Sequence, residues 1–265
     1  MRQPSGREHV EVGLGAAGAA VSDVGLRRRR NEDAVALVGL PGGACAVVCD
    51  GVATAPGSEE AARRAADAAA AVLSGRVAAG MDPRAATRAA VERAAAVVAG
   101  LGGEPGSSPA CTFVSAVVDP SGVTVGWVGD SRAYWLSAAG SCVLTRDDSW
   151  AEAMVEQGAM SAEEARADAR AHQITAWLGA DAGPVEPHVA AFRPVAPGLV
   201  VVCSDGLWNH LPEAARLAAV ALGGDGPAGA ARRLLRAALD AGGHDNVTVA
   251  VLPGPPPGAG RERGR

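Results

Sequence analysis

The chain alternates between two kinds of apolar pattern. Short Val-rich runs bounded by Gly, Pro, Asp and Ser are typical of β-strands. They lie at about 34–39, 44–49, 111–118, 122–128, 132–137, 142–145, 186–192, 198–203 and 246–252. Longer runs rich in Ala, Arg and Glu have a helical period. They lie at about 58–73, 84–99, 149–157, 161–171, 213–222 and 227–240.

Polar residues mark where several of these elements begin or turn. Ser58 opens one predicted helix, and Ser161 with Glu164 three residues later predicts a capping box at another. Residues 119–122, which read Asp-Pro-Ser-Gly, predict a hairpin turn. Hairpin-connected strands with the helices grouped together predict an α+β sandwich and not a strictly alternating parallel sheet.

One domain is expected over residues 8–252, with tails at 1–7 and 253–265. The second tail is rich in Pro, Gly and Arg and is expected to be disordered. The first ten residues carry charges and no long apolar run, so no signal peptide is expected. No uninterrupted apolar stretch is long enough to span a membrane.

Composition excludes several functions. The chain has 265 residues and a net charge of −5, and every basic residue is Arg. Without Lys, neither a Schiff base nor the phosphate-binding lysine of a P-loop can form. The negative charge and 3% aromatic content argue against nucleic-acid binding. The five cysteines are an odd number without a Cys-x-x-Cys pair, which predicts reduced thiols and a cytoplasmic protein.

A glycine pattern near the N-terminus imitates a dinucleotide-binding motif. Gly13, Gly15 and Gly18 have the required spacing after a short strand-like run, and Asp33 follows at about the expected distance. No useful helix fits between Gly18 and Gly25, so a nucleotide cofactor is not predicted.

Acidic residues lie where predicted strands begin or end. They are Asp33, Asp50, Asp130, Asp205 and Asp245. Each alone fits a turn or a helix cap. If they converge, their mutual repulsion raises their pKa values, and a divalent cation removes that penalty. Oxygen ligands favour Mg²⁺ or Mn²⁺, and the Gly51 carbonyl can approach an ion closely.

Five motifs carry a family resemblance. They are residues 22–33, Asp50-Gly51, residues 129–134, Ser204-Asp205-Gly206 and Asp245-Asn246-Val247-Thr248. In this order they resemble the metal-dependent type 2C protein phosphatases, the PPM family, over about residues 8–252. The resemblance implies a four-layer α/β/β/α sandwich of two antiparallel sheets flanked by helices.

The resemblance also implies roles for individual residues. Asp50 would bridge two Mn²⁺ or Mg²⁺ ions, the Gly51 carbonyl would join one of them, and Asp205 and Asp245 would complete the other. These three aspartates, with Arg28, would be the catalytic residues. Further ligands are implied at Glu32, Asp33 and Asp130, the last holding a third ion together with Asp205. Arg28 would bind the substrate phosphate, for which a guanidinium fork is well suited.

The implied function is hydrolysis of phosphoserine and phosphothreonine in proteins by a water activated between the two ions. The implied partners are a phosphoprotein and a bacterial Ser/Thr kinase or its targets, with no nucleic acid or membrane, and a monomer is expected. Departures from the family keep alternatives open. Asp50-Gly51-Val52-Ala53-Thr54 lacks the family's two later glycines, and Ala176 replaces a frequent Arg beside a flap at about 146–175. A non-catalytic regulatory module, or a phosphohydrolase with Asp50 as nucleophile, are the other candidates.

Overall fold

The computed structural model describes residues 8–52, 56–102 and 108–256. The predicted tail at 1–7, most of the predicted tail at 253–265, and the altered positions 53 and 54 lie outside these ranges. The strands are β1 (His9–Gly13), β2 (Ala19–Asp23), β3 (Asp33–Leu40), β4 (Gly43–Asp50), β5 (Ala110–Cys111), β6 (Phe113–Asp119), β7 (Gly122–Val128), β8 (Arg132–Leu136), β9 (Cys142–Val143), β10 (Leu178–Gly179), β11 (His188–Phe192), β12 (Leu199–Cys203) and β13 (Val247–Pro253).

Seven helices accompany these strands in the described residues. They are α1 (Ser58–Ala78), α2 (Pro83–Ala99), α3 (Trp150–Glu156), α4 (Ala162–Ala167), α5 (Asp205–Trp208), α6 (Ala214–Ala221) and α7 (Gly226–Asp240). The strands form a six-stranded sheet in the order β1-β2-β13-β12-β8-β9 and a five-stranded sheet in the order β11-β7-β6-β4-β3. Their pairings are antiparallel, and β10 with β5 forms a small third sheet.

The two large sheets pack face to face with helices outside them. On β12, Val200 and Val202 lie in the core between the sheets, whereas Val201 and Cys203 lie in the core under α6 and α7. On β4 the even and odd positions divide in the same way, between the inter-sheet core and the core under α1 and α2. Strands buried on both faces have continuous apolar runs. The α+β, four-layer expectation is therefore confirmed.

Several local expectations are met. The Asp119 carboxylate accepts hydrogen bonds from the backbone N–H groups of Ser121 and Gly122, and this turn joins β6 to β7. Ser161 and Glu164 form the expected capping box. Ser58 opens α1 as expected, and its hydroxyl donates to the Val52 carbonyl at 2.7 Å.

Other local expectations need correction. Strand β2 was not predicted, because its small residues carry a weak strand signal although all five are buried. Helix α4 ends earlier than predicted, since the Asp168 carboxylate accepts the Arg170 N–H and competes with the helical backbone. The apolar runs around the cysteines predict that they are buried; all five are free and four are buried, but Cys142 is exposed on β9.

Candidate active site

The site lies at one end of the sandwich, where strands of both sheets stop. Asp33 opens β3 and Asp50 closes β4, and the two residues are direct partners in the antiparallel register. The next residue, Gly51, donates its N–H to the Glu32 carbonyl at 3.1 Å. A Cβ atom at Gly51 would lie 2.7 Å from that carbonyl oxygen, so only glycine allows this close approach.

The second sheet brings two further carboxylates to the same end. Asp205 begins α5, two residues after the end of β12, and Asp245 lies two residues before the start of β13. Strands β12 and β13 are hydrogen-bonded neighbours. The backbone of Gly206 packs so closely on the Asn246 carbonyl that an added Cβ would overlap it. The start of α5 therefore packs directly against the loop that carries Asp245.

Electrostatic coupling shows that five predicted ligands face one another. Burial raises the pKa of Asp50 well above its ordinary value, and Asp33, Asp205, Asp130 and Asp245 add to the rise. Burial also raises the pKa of Asp33 to about 7 and that of Asp130 to about 7. The pKa of Asp205 is raised to about 6 by burial and by Asp245, although a hydrogen bond with Asp50 opposes the rise.

A layer of hydroxyl and amide groups holds these carboxylates in place. The Ser204 hydroxyl donates to the Asp33 carboxylate at 2.7 Å and accepts the Thr248 N–H at 3.1 Å. The Asn209 side-chain amide donates to Asp205 at 3.1 Å. Sequence reasoning assigned no role to Ser204, Thr248 or Asn209. The first two stand inside the quoted motifs, so the motifs themselves were the available signal.

Asn246 ties the loop before Asp33 to the loop before β13. Its amide nitrogen donates to the carbonyls of Val24 and Arg30 at 3.0 and 2.9 Å. Its amide oxygen accepts the Glu32 N–H at 2.8 Å. Asn246 therefore uses both ends of its amide to fix the segment that carries Arg28 and Glu32. Sequence reasoning gave this residue no role either.

Arg28 stands at the mouth of the acidic cluster. Its Nη2 atom lies 2.5 Å from Asp245 Oδ2, and both side chains remain partly exposed. The hydrogen bond with Asp245 raises the pKa of Arg28, and the nearby charges of Glu32 and Asp205 add to the rise. The structure thus places the predicted phosphate-binding cation in contact with a predicted metal ligand.

A cavity of about 750 Å³ adjoins Asp130. The segment predicted as a flap supplies one wall, including His172, and α5 with its following loop supplies another. Within the cavity lining, Arg132 pairs with Asp147 at 2.7 Å and stacks 3.7 Å over the Trp208 ring. The flap has a small core of its own around Ala151, Ala165 and Ala171.

The donor set fits hard divalent cations. In the ranges described, no group of three or more His, Cys, Asp or Glu side chains has the geometry of a formed metal site. The clustered carboxylates nevertheless offer only oxygen ligands. Burial, and then the neighbouring carboxylates, raise their pKa values, and Mg²⁺ or Mn²⁺ would offset both effects. Separately, no helix in the described residues has the length and apolar character needed to span a bilayer.

Two stacked antiparallel sheets with outer helices and an acidic cluster at one end form the architecture that the resemblance to the type 2C phosphatases implied. The profile of the protein phosphatase 2C family matches residues 26–222, and the chain belongs to this family.

Solved structures and a curated relative agree with this assignment. The PPM Ser-Thr phosphatase MsPP from Mycobacterium smegmatis, in complex with cacodylate, shares 31% identity at a TM-score of 0.72, over 89% of this chain and 97% of that one. The catalytic domain of PstP, in complex with two manganese ions, shares 27% identity at a TM-score of 0.70, over 93% and 99%. The curated serine/threonine protein phosphatase PstP of Mycobacterium tuberculosis is 33% identical over 124 residues, which are 47% of this chain and 23% of the relative's length.

Proposed function

We propose that this chain removes phosphate from phosphoserine and phosphothreonine in proteins and depends on Mn²⁺ or Mg²⁺. The observation that carries the proposal is the buried cluster around Asp50, whose pKa is raised by burial and by four neighbouring aspartates. Such an arrangement is costly in the folded state unless cations bind it. The relatives named as Ser/Thr phosphatases, and the manganese in the PstP catalytic domain, support the same conclusion.

The ligands would be the residues that the resemblance names. Asp50, Gly51, Asp205, Asp245, Asp33 and Glu32 would hold two ions, and Asp130 with Asp205 would hold a third. When bound, paired divalent ions supply a hydroxide nucleophile near neutral pH by lowering the pKa of water.

The surrounding residues orient this machinery. Arg28, in contact with Asp245, is within reach of a phosphate beside the carboxylates, and its guanidinium can hold two phosphate oxygens at once. Ser204 and Asn209 keep Asp33 and Asp205 aimed by hydrogen bonds. Because Arg28 carries positive charge, it stabilises the charge that develops on phosphate oxygens during transfer.

The physiological substrates would be proteins phosphorylated by a bacterial Ser/Thr kinase, or the kinase itself. A monomer acting in the cytoplasm is proposed, and the five free cysteines support a reducing compartment.

The test is phosphate release from a phosphothreonine peptide with and without Mn²⁺. Asp205→Asn should abolish release, because it removes a ligand charge from the buried cluster. The matched control is Asp67→Asn on α1, where the same chemical change affects an exposed carboxylate. Full activity in Asp205→Asn would overturn the proposal. Manganese binding without turnover by the wild-type chain would instead establish the non-catalytic module.

A further inference from the structure

An exposed loop beside the site carries four consecutive arginines. We call residues 26–30 the arginine loop; it consists of Leu26 and the four arginines, and all five residues are exposed. The loop connects β2 to β3, and its member Arg28 contacts Asp245. The arginine loop is therefore part of the rim of the proposed active site.

The backbone of the arginine loop is held at both ends. The Leu26 N–H donates to the Gly243 carbonyl at 2.7 Å, and the Arg30 carbonyl accepts from the Asn246 side chain at 2.9 Å. Just before the loop, Gly25 has φ +76° and packs against the Asp245 carbonyl without room for a Cβ atom. These contacts hold the backbone at both ends, so less backbone entropy is lost when a ligand binds, and the cost that remains is the ordering of the arginine side chains.

Within the described ranges, three of the four guanidinium groups have no acidic partner. Arg27, Arg29 and Arg30 form no ion pair or side-chain hydrogen bond with any residue that the structure describes. Some exposed arginines elsewhere are neutralised locally, as Arg63 is by Glu60 and Arg232 is by Glu11. Others on α2 have no ion pair in the described residues, but they are not consecutive and do not adjoin the site. A chain with net charge −5 thus concentrates uncompensated positive charge next to its proposed phosphate-binding arginine.

We propose that the arginine loop selects phosphoproteins with a second anionic group close to the phosphoserine or phosphothreonine. This inference rests on the proposed function. If Arg28 holds the phosphate that is removed, its neighbours lie within reach of groups about two to four residues away along an extended peptide, at about 3.3–3.6 Å per residue. Arginine clusters recognise both phosphate and carboxylate groups, so the second anion is another phosphate or an Asp or Glu side chain.

An anionic membrane is a less suitable partner. The exposed side chain of Leu26 and the arginines could contact lipid headgroups, but the chain as a whole is negatively charged and would be repelled. The contact between Arg28 and Asp245 ties the loop to the acidic site, where a phosphopeptide would bind.

The experiment compares three phosphothreonine peptides of equal length under Mn²⁺. One has neutral flanking residues, one has a nearby Glu, and one has a second phosphothreonine. We expect the wild-type chain to prefer both anionic peptides, with kcat/KM higher by roughly threefold to tenfold. This corresponds to about 0.7–1.4 kcal/mol, the size expected from one to three exposed ion pairs. The preference should shrink at high salt.

In the variant Arg27→Gln/Arg29→Gln/Arg30→Gln, the ratio of kcat/KM for an anionic peptide to kcat/KM for the neutral peptide should fall close to one. The matched control is Arg84→Gln/Arg88→Gln/Arg93→Gln on α2, which makes the same change in net charge at exposed arginines without ion pairs in the described residues. This control should keep the wild-type ratio. A preference for only one anionic peptide would identify the phosphate or the carboxylate as the recognised group.

Two results would overturn the inference. One is a kcat/KM ratio of one between anionic and neutral peptides in the wild-type chain, and the other is an unchanged ratio in the variant with the three Arg→Gln changes in the arginine loop. Loop-dependent binding to vesicles of phosphatidylcholine and phosphatidylglycerol in equal parts, together with a ratio of one, would reassign the loop to membranes. If no peptide is hydrolysed, the proposed function fails. The inference is then tested separately by the ratio of the dissociation constants of the neutral and anionic peptides: tighter binding of the anionic peptides that depends on the arginine loop would support it, and equal binding would overturn it.

Discussion

Replacing Ser204 by Ala tests whether a single buried hydroxyl controls the metal affinity of the site. Ser204 is fully buried, donates to the Asp33 carboxylate at 2.7 Å and accepts the Thr248 N–H at 3.1 Å. The bond from Ser204 lowers the pKa of Asp33, which burial has raised to about 7. Ser204→Ala removes this opposition, so the pKa of Asp33 rises further.

The size of the effect follows from the charged hydrogen bond. Such a bond contributes about 1.5–3 kcal/mol, and each 1.4 kcal/mol is about tenfold in affinity. We therefore expect Mn²⁺ binding to weaken by about tenfold or more near neutral pH. Protons compete with the cation for the carboxylate, so the loss should be largest below the Asp33 pKa of about 7 and should shrink at higher pH.

The assay is calorimetric titration of Mn²⁺ into the metal-free chain at several pH values. The matched control is Ser115→Ala, because Ser115 is also fully buried but makes only a 3.5 Å hydrogen bond to the Gly126 carbonyl. An affinity loss that is the same at every pH, or that Ser115→Ala reproduces, would refute the reasoning.

Three further predictions concern the same site. Arg28→Ala should raise KM for a phosphopeptide by about tenfold, because a charge-assisted contact with phosphate is lost; exposed Arg88→Ala is the control, and an unchanged KM would remove the assignment. Gly51→Ala should lower the free energy of unfolding by about 1–3 kcal/mol, since its Cβ would lie 2.7 Å from the Glu32 carbonyl oxygen; urea denaturation measures this, and wild-type stability would contradict it. Between about pH 4 and pH 7, the metal-free folded state binds more protons than the unfolded chain at groups such as Asp33, so the free energy of unfolding should fall as pH rises. Thermal melts at several pH values, with and without Mn²⁺, measure this fall. A fall in stability that Mn²⁺ does not reduce would count against a metal site.

Strand boundaries could be predicted where burial imposes a pattern on the sequence. Two runs, ending at Cys49 and Cys203, are buried on both faces and are therefore continuously apolar. Each is followed within two residues by an aspartate, which marks the end of the strand in the sequence. Strand β2 gave a weaker signal because Ala, Ser and Asp do not favour strands, and only its pairing between β1 and β13 establishes it.

The candidate carboxylates could also be predicted, since acids at the ends of buried strands are visible in the sequence. Their convergence could not be derived from spacing alone, because it depends on which strands are neighbours. Asp33 faces Asp50 through the β3–β4 register, and the β12–β13 pairing brings Asp205 beside Asp245 in the other sheet. The two pairs meet because the sheets stack, as the hydrogen bond from Ser204 to Asp33 shows.

The amino-acid sequence by itself determined most of the strands and helices, and the acids at the strand ends, because these depend on local periodicity and residue type. Only the tertiary structure decided that Ser204, Asn209 and Asn246 hold those acids and their loops, since their partners lie far away in the chain or depend on a local turn. The same holds for Arg27, Arg29 and Arg30, which have no ion-pair partner in the described part of the chain. Whether an arginine has an ion-pair partner depends on which residues lie near it in the folded structure, and this cannot be inferred from the neighbouring residues in the sequence.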